Sequence, residues 1–100
     1  MGISIKIEGY ILSYATKPGE VHTITLHNSS KAVAVLFFKP DGTVLPDNEI
    51  VNGVIHLLYH FKDFYNVFDL LLRVKPLNVV FNAPSTNAVC GLTTPQIIPV

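Results

Sequence analysis

A chain of 100 residues that is 49% apolar has the length of one domain and enough apolar side chains for one core. Seven lysines and arginines balance seven aspartates and glutamates, and they are scattered, so no net field gathers phosphate backbones or acidic lipid. That counts against nucleic acid and membrane surfaces as partners. A charged fraction of 14% and a mean hydropathy of +0.42 leave little polar surface for a small monomer. Apolar surface is therefore expected to be buried against another copy or another protein.

Cys90 is the only cysteine, which excludes an intrachain disulfide and suits a reducing compartment. The first ten residues lack the charged start and long apolar run of a signal peptide, and no apolar stretch reaches the roughly 18 residues of a membrane span. Gly2 suggests myristoylation, but Lys6 stands where that motif wants serine or threonine. Asn28-Ser29-Ser30 matches a glycosylation sequon and, without an export signal, reads as a turn. The expected location is cytoplasmic.

Ile3, Ile5 and Ile7 alternate with Ser4, Lys6 and Glu8, the period of a strand with one buried face. Gly9 permits a bend or bulge before residues 10–14 continue extended. Lys17-Pro18-Gly19-Glu20 fits a type II turn. The β-branched residues in 21–26 predict a second strand, a polar turn comes next at 27–31, and the apolar run 32–38 reads as a central strand covered on both faces. Lys39-Pro40-Asp41-Gly42-Thr43 predicts a hairpin tip, after which residues 43–45 could pair briefly.

The stretch 52–81 carries the densest apolar content and admits two readings. Ile50, Val51, Val54, Leu57, Leu58, Phe61, Phe64, Phe68, Leu71 and Leu72 follow helical spacing, which would make one helix over twice the mean length. The alternative divides the stretch at Lys62-Asp63. Residues 54–61 are then a strand entered through Asn52-Gly53, and Asp63 caps a helix with Arg73 and Lys75 at its negative end. Gly53 would cost a helix about 1 kcal/mol relative to alanine, and Val54 and Ile55 favour a strand, so the divided reading is preferred. Lys75-Pro76 ends the helix. A strand is expected at 77–81, a loop at 82–87 and a final strand at 88–92. The uncharged tail 93–100 is expected to lie extended over a groove or a neighbouring subunit.

The chain thus reads as α+β and mostly β, one domain over residues 1–100. A small, strongly bent sheet or partly closed barrel of five to six antiparallel strands is expected, with one helix at about 63–74 before the last two strands. With the central stretch wholly helical, the element order would instead resemble the OB-fold, a topological likeness that implies no activity by itself.

His56 and His60 are four residues apart, with Asp63 three further on. On a helix the two imidazoles share a face and could bind one metal ion, with the carboxylate completing the site. On a strand they stand roughly 13 Å apart at about 3.3 Å per residue, too far to chelate directly. Leu57 also replaces the glutamate of an H-E-x-x-H motif. The strand reading therefore makes them half-exposed polar residues on a sheet face, and His22 and His27, on opposite strand faces, ordinary surface residues. Cys90 has no catalytic signature around it and reads as a buried structural thiol. Asp63 and Asp69 read as a helix cap and a solvated position rather than an acid and base pair. Tyr10, Tyr14, Phe37, Phe38, Tyr59 and Tyr65 could form a base-stacking platform, but such platforms sit in basic grooves, so core packing plus an interface is preferred.

The leading expectation is a non-enzymatic module without a cofactor. It self-associates or binds a protein partner through apolar strand surface and the tail, with Pro95, Ile97, Ile98 and Val100 as interface candidates. The alternatives are a metal- or cysteine-dependent enzyme centred on His56, His60, Asp63 or Cys90, and an OB-like binder of single-stranded nucleic acid.

Overall fold

The structure is a computed structural model that describes residues 2–13, 22–82 and 91–93. The turn expected at 17–20, Tyr14, Cys90 and the interface candidates Pro95, Ile97, Ile98 and Val100 lie outside the described residues. Among the described residues eight strands form two sheets. Strands β2 (Gly9–Ser13), β3 (His22–Asn28), β4 (Lys31–Lys39), β5 (Glu49–Val51) and β6 (Val54–His60) make a five-stranded sheet in the order β2-β3-β4-β6-β5. Strands β1 (Gly2–Lys6), β7 (Asn78–Asn82) and β8 (Gly91–Thr93) make a three-stranded sheet in the order β1-β7-β8. Between β6 and β7 lie a 3-10 turn (Phe61–Asp63) and the helix α1 (Phe64–Arg73).

The chain from residue 2 to 13 serves both sheets. Its first half pairs with β7 and its second half with β3. At the junction the Ile7 amide donates to the Leu77 carbonyl at 2.9 Å, and the Glu8 amide donates to the His27 carbonyl at 2.8 Å. The side chains packed on the core change phase there, from Ile5 and Ile7 to Tyr10 and Leu12. Two successive residues, Glu8 and Gly9, separate the two series, which is the bend the glycine was expected to permit.

The two tight hairpins owe their geometry to positive φ angles. Ser29 and Ser30 (φ 52° and 68°) link β3 to β4, and Asn52 and Gly53 (φ 51° and 80°) link β5 to β6. Both positions of a type I′ turn need φ above zero, because only then does its twist match that of the strands. Glycine accepts this freely and serine does not. The Ser29 amide and hydroxyl, however, both donate to Glu8 Oε1, at 2.6 and 3.2 Å, and Asn28 Nδ2 donates to the Lys6 carbonyl at 2.8 Å. The strained turn is thus tied to the junction between the sheets.

Three features of the expected architecture are corrected. The strands are not all antiparallel, since β4 pairs with β6 in parallel. The turn at 40–43 is present, with the Thr43 amide on the Pro40 carbonyl at 3.2 Å, but β4 does not form a hairpin with the next strand, β5. The chain passes to the far edge, lays down β5, and returns through Asn52-Gly53 into the slot beside β4, so β6 runs in the direction of β4. The sheets do not close into a barrel, because no strand pairing joins the edge strands of the two sheets among the described residues. The division of the central stretch is as expected, with residues 54–60 as strand and a break before α1.

The core lies between the inner face of the five-stranded sheet, α1 and one face of the smaller sheet. Ile24, Leu26, Ala34, Leu36, Phe38, Ile55 and Leu57 come from the large sheet, Phe64 and Leu71 from the helix, and Val79 from β7. Phe64, Val67, Phe68 and Leu71 fall at helical spacing and face inward, while Tyr65, Asn66, Asp69, Leu72 and Arg73 are exposed. Phe64 is fully buried. Its ring meets Phe38 edge-on at 4.9 Å and stacks on Phe61 at 5.4 Å, and Phe38 stacks on Tyr59 at 5.3 Å.

Asp63 precedes α1 but its side chain caps nothing. The 3-10 turn already holds its backbone near helical angles (φ −92°, ψ −4°), whereas a capping side chain needs an extended residue. Asp41 takes the role one turn earlier, its Oδ1 accepting the Lys62 amide at 2.8 Å. At the other end Val74 leaves the helix extended and the Lys75-Pro76 peptide is cis.

Candidate functional site

The outer face of the five-stranded sheet is the side opposite α1. Registered rows across it read Ile11, Thr25, Val35, His56, Glu49 and Ser13, Thr23, Phe37, Leu58. Its centre, made of Thr23, Thr25, Val35 and Phe37, carries no formal charge. Those four residues are partly exposed, and Ile11 at the edge is 58% exposed. The run 32–38, expected to be covered on both faces, is fully covered on the inner one by helix and core, whereas Val35 and Phe37 face outward and are partly exposed.

The edges of this sheet differ. β5 is three residues long, begins with Glu49, and is preceded by a loop that runs beside β6. Asn48 Oδ1 accepts the Leu58 amide at 2.9 Å, so a buried side chain supplies the bond that a longer β5 would have made. β2 is five residues, Gly9 to Ser13, without a charge or a proline, and no strand pairs with its other edge among the described residues. Lysine, proline and extreme shortness are the devices that usually blunt an edge, and β2 has none of them.

His56 and His60 lie on β6, so their spacing along the strand is roughly 13 Å by the rise of about 3.3 Å per residue. The His56 ring is 5.1 Å from the Phe37 ring. His60 Nε2 is 2.6 Å from the Thr43 carbonyl oxygen. A carbonyl only accepts, so Nε2 carries the proton there and has no lone pair to offer a metal. Asp63 sits beyond the strand, at the start of α1. Among the described residues no group of three or more histidine, cysteine, aspartate or glutamate side chains comes together.

His22 departs from the surface role expected of it. It stands on the inner side of β3 and its ring lies 4.7 Å from Phe61 and 5.9 Å from Phe64. The aromatic residues considered as a platform are also divided. Tyr10, Phe38 and Tyr59 pack on the core side, Phe37 is on the outer face, and Tyr65 is exposed on α1. Asp41 and Asn48 hold the loop 40–48 to β6 and the 3-10 turn, a role that no local pattern in the sequence marks.

Among the described residues no helix is long and apolar enough to cross a membrane. Comparison of the chain with protein-family models, with curated proteins and with solved structures finds no match.

Proposed function

We propose that this chain is a non-enzymatic, cytoplasmic interaction module that self-associates by pairing β2 of one copy with β2 of another, antiparallel and about a two-fold axis. The observation that carries the reading is the β2 edge, free of charge and proline and unpaired among the described residues, with Ile11 exposed at its middle. Gly9–Ser13 is centred on Ile11, so a two-fold pairing sets Ile11 beside its symmetry mate and carries the uncharged outer face across the seam. Open backbone groups and apolar side chains are then covered together. Zero net charge leaves no repulsion between copies to overcome. Pro95, Ile97, Ile98 and Val100 of the uncharged tail are proposed to strengthen the association with further apolar groups.

Ile11→Lys tests this, because it places two cations side by side at the two-fold axis. By light scattering at micromolar concentration the native chain is expected at twice the monomer mass and the variant at the monomer mass, with the melting temperature of the monomer little changed. A native chain that is strictly monomeric sinks the proposal. A dimer whose mass survives removal of residues 94–100 removes the part assigned to the tail.

A further inference from the structure

A cleft of about 470 Å³ opens between the β1–β2 junction and the segment that joins α1 to β7. Its volume is within the roughly 300 to 1,000 Å³ of small-molecule sites. The cleft arises from the junction itself: the strand leaves β7 at Ile7 and joins β3 from Glu8, while the chain past α1 runs extended at Val74. Ile7, Tyr10, Leu71, Val74 and Leu77 form apolar walls. Lys6 and Lys75, both exposed, and Glu8 supply the charges.

The three charges are not equivalent. Glu8 Oε1 already accepts the Ser29 amide and hydroxyl. Neither lysine has an ion-pair partner among the described residues, where Asp69 and Arg73 make the salt bridge. The lining therefore includes two exposed lysines and one glutamate whose carboxylate is hydrogen-bonded to Ser29. A neutral apolar ligand would leave the lysines unused. A polyphosphate wants a glycine-rich loop of backbone donors, and Gly9 is the lone glycine in this lining.

We propose that the cleft binds an amphipathic carboxylate, a medium-chain fatty acid or a comparable aryl-alkyl acid. Its apolar body lies against Tyr10, Leu71, Val74 and Leu77, and its head group is held by Lys6 and Lys75. An ammonium group paired with a carboxylate beside an apolar wall supplies orientation, and the buried chain supplies most of the affinity. This site borrows Gly9 and Tyr10 from β2, but it rests on the cleft behind the strand and not on the pairing of β2 edges, so light scattering and the titration below test the two separately.

The test is a titration of the full, isotope-labelled chain with decanoate, read from amide chemical shifts. Saturable shifts are expected at Ile7, Tyr10, Val74 and Leu77. Decanol, and decanoate on the Lys6→Gln/Lys75→Gln double variant, are expected to bind about tenfold more weakly, the size of one charge-assisted hydrogen bond. Both lysines are exposed, so the double variant should keep its fold, which its unchanged amide spectrum outside the cleft would verify. Absence of shifts at those four amides in millimolar decanoate overturns the site. Equal binding of decanol, or an unaltered affinity in the double variant, overturns the assignment of an anionic head group.

Discussion

Phe64→Ala is expected to lower the stability of the fold by about 3 to 5 kcal/mol, and its melting temperature by roughly 15 °C or more. The side chain is fully buried and is the point at which α1 meets the large sheet, with Phe38, Phe61, Phe68 and His22 around it. Removing the ring leaves a cavity bounded by both the helix and β4, and neither can collapse without moving the other. A small domain has about 5 to 15 kcal/mol in total, so the variant keeps a modest margin or none. Tyr65→Ala is the control, since Tyr65 is 65% exposed and should cost about 1 kcal/mol or less. Urea unfolding of both variants decides the matter. If Phe64→Ala loses no more than Tyr65→Ala, α1 is not anchored through Phe64.

The second large effect is expected at Asn48, the buried polar side chain whose Oδ1 accepts the Leu58 amide. Asn48→Ala should cost about 1 to 3 kcal/mol, because a buried N–H on β6 loses its acceptor and cannot turn to water. Asn48→Leu fills the same space and should cost a similar amount. That comparison separates a hydrogen bond from simple packing: if leucine restores native stability while alanine does not, volume is the reason for burial. Amide exchange at Leu58 should quicken in both variants.

Much of the local structure is legible in the sequence because its signals are local. The alternation of Ile3, Ile5 and Ile7 marks β1, and Gly9 marks the bend at the junction. Gly53 and the β-branched pair Val54 and Ile55 favour a strand over a helix at 54–60, and β6 is there. The same Asn52-Gly53, with Ile50 and Val51 before it, also signals a hairpin, yet β5 stays hidden because those two residues fit the helical spacing equally well.

Pairing order is not legible. Nothing in the period of residues 32–38 says that their neighbour on one side will be β6 running parallel, since that depends on where β5 is laid down. Asp41 and Asn48 are hidden for the same reason, as their partners lie 21 and 10 residues away. The β2 edge is half legible. Its lack of charge can be read directly, but its place at the margin of the sheet is a property of topology.

The strand shared by both sheets also sets an order of events. β3 and β4 meet across Ser29-Ser30, and β5 and β6 across Asn52-Gly53, so those contacts close short loops. β1 finds its partners some 80 residues on, with Gly2 opposite Asn82, and among the pairings of the described residues that closure carries the largest loop entropy cost. The three-stranded sheet is then the last piece to form and the first to open, hinged at Ile7 and Glu8. Native-state hydrogen exchange should show it, with the amides of Val79 and Val80 exchanging through a lower-energy opening than those of Ile24 and Leu36. Equal protection at all four would make the two sheets one cooperative unit instead.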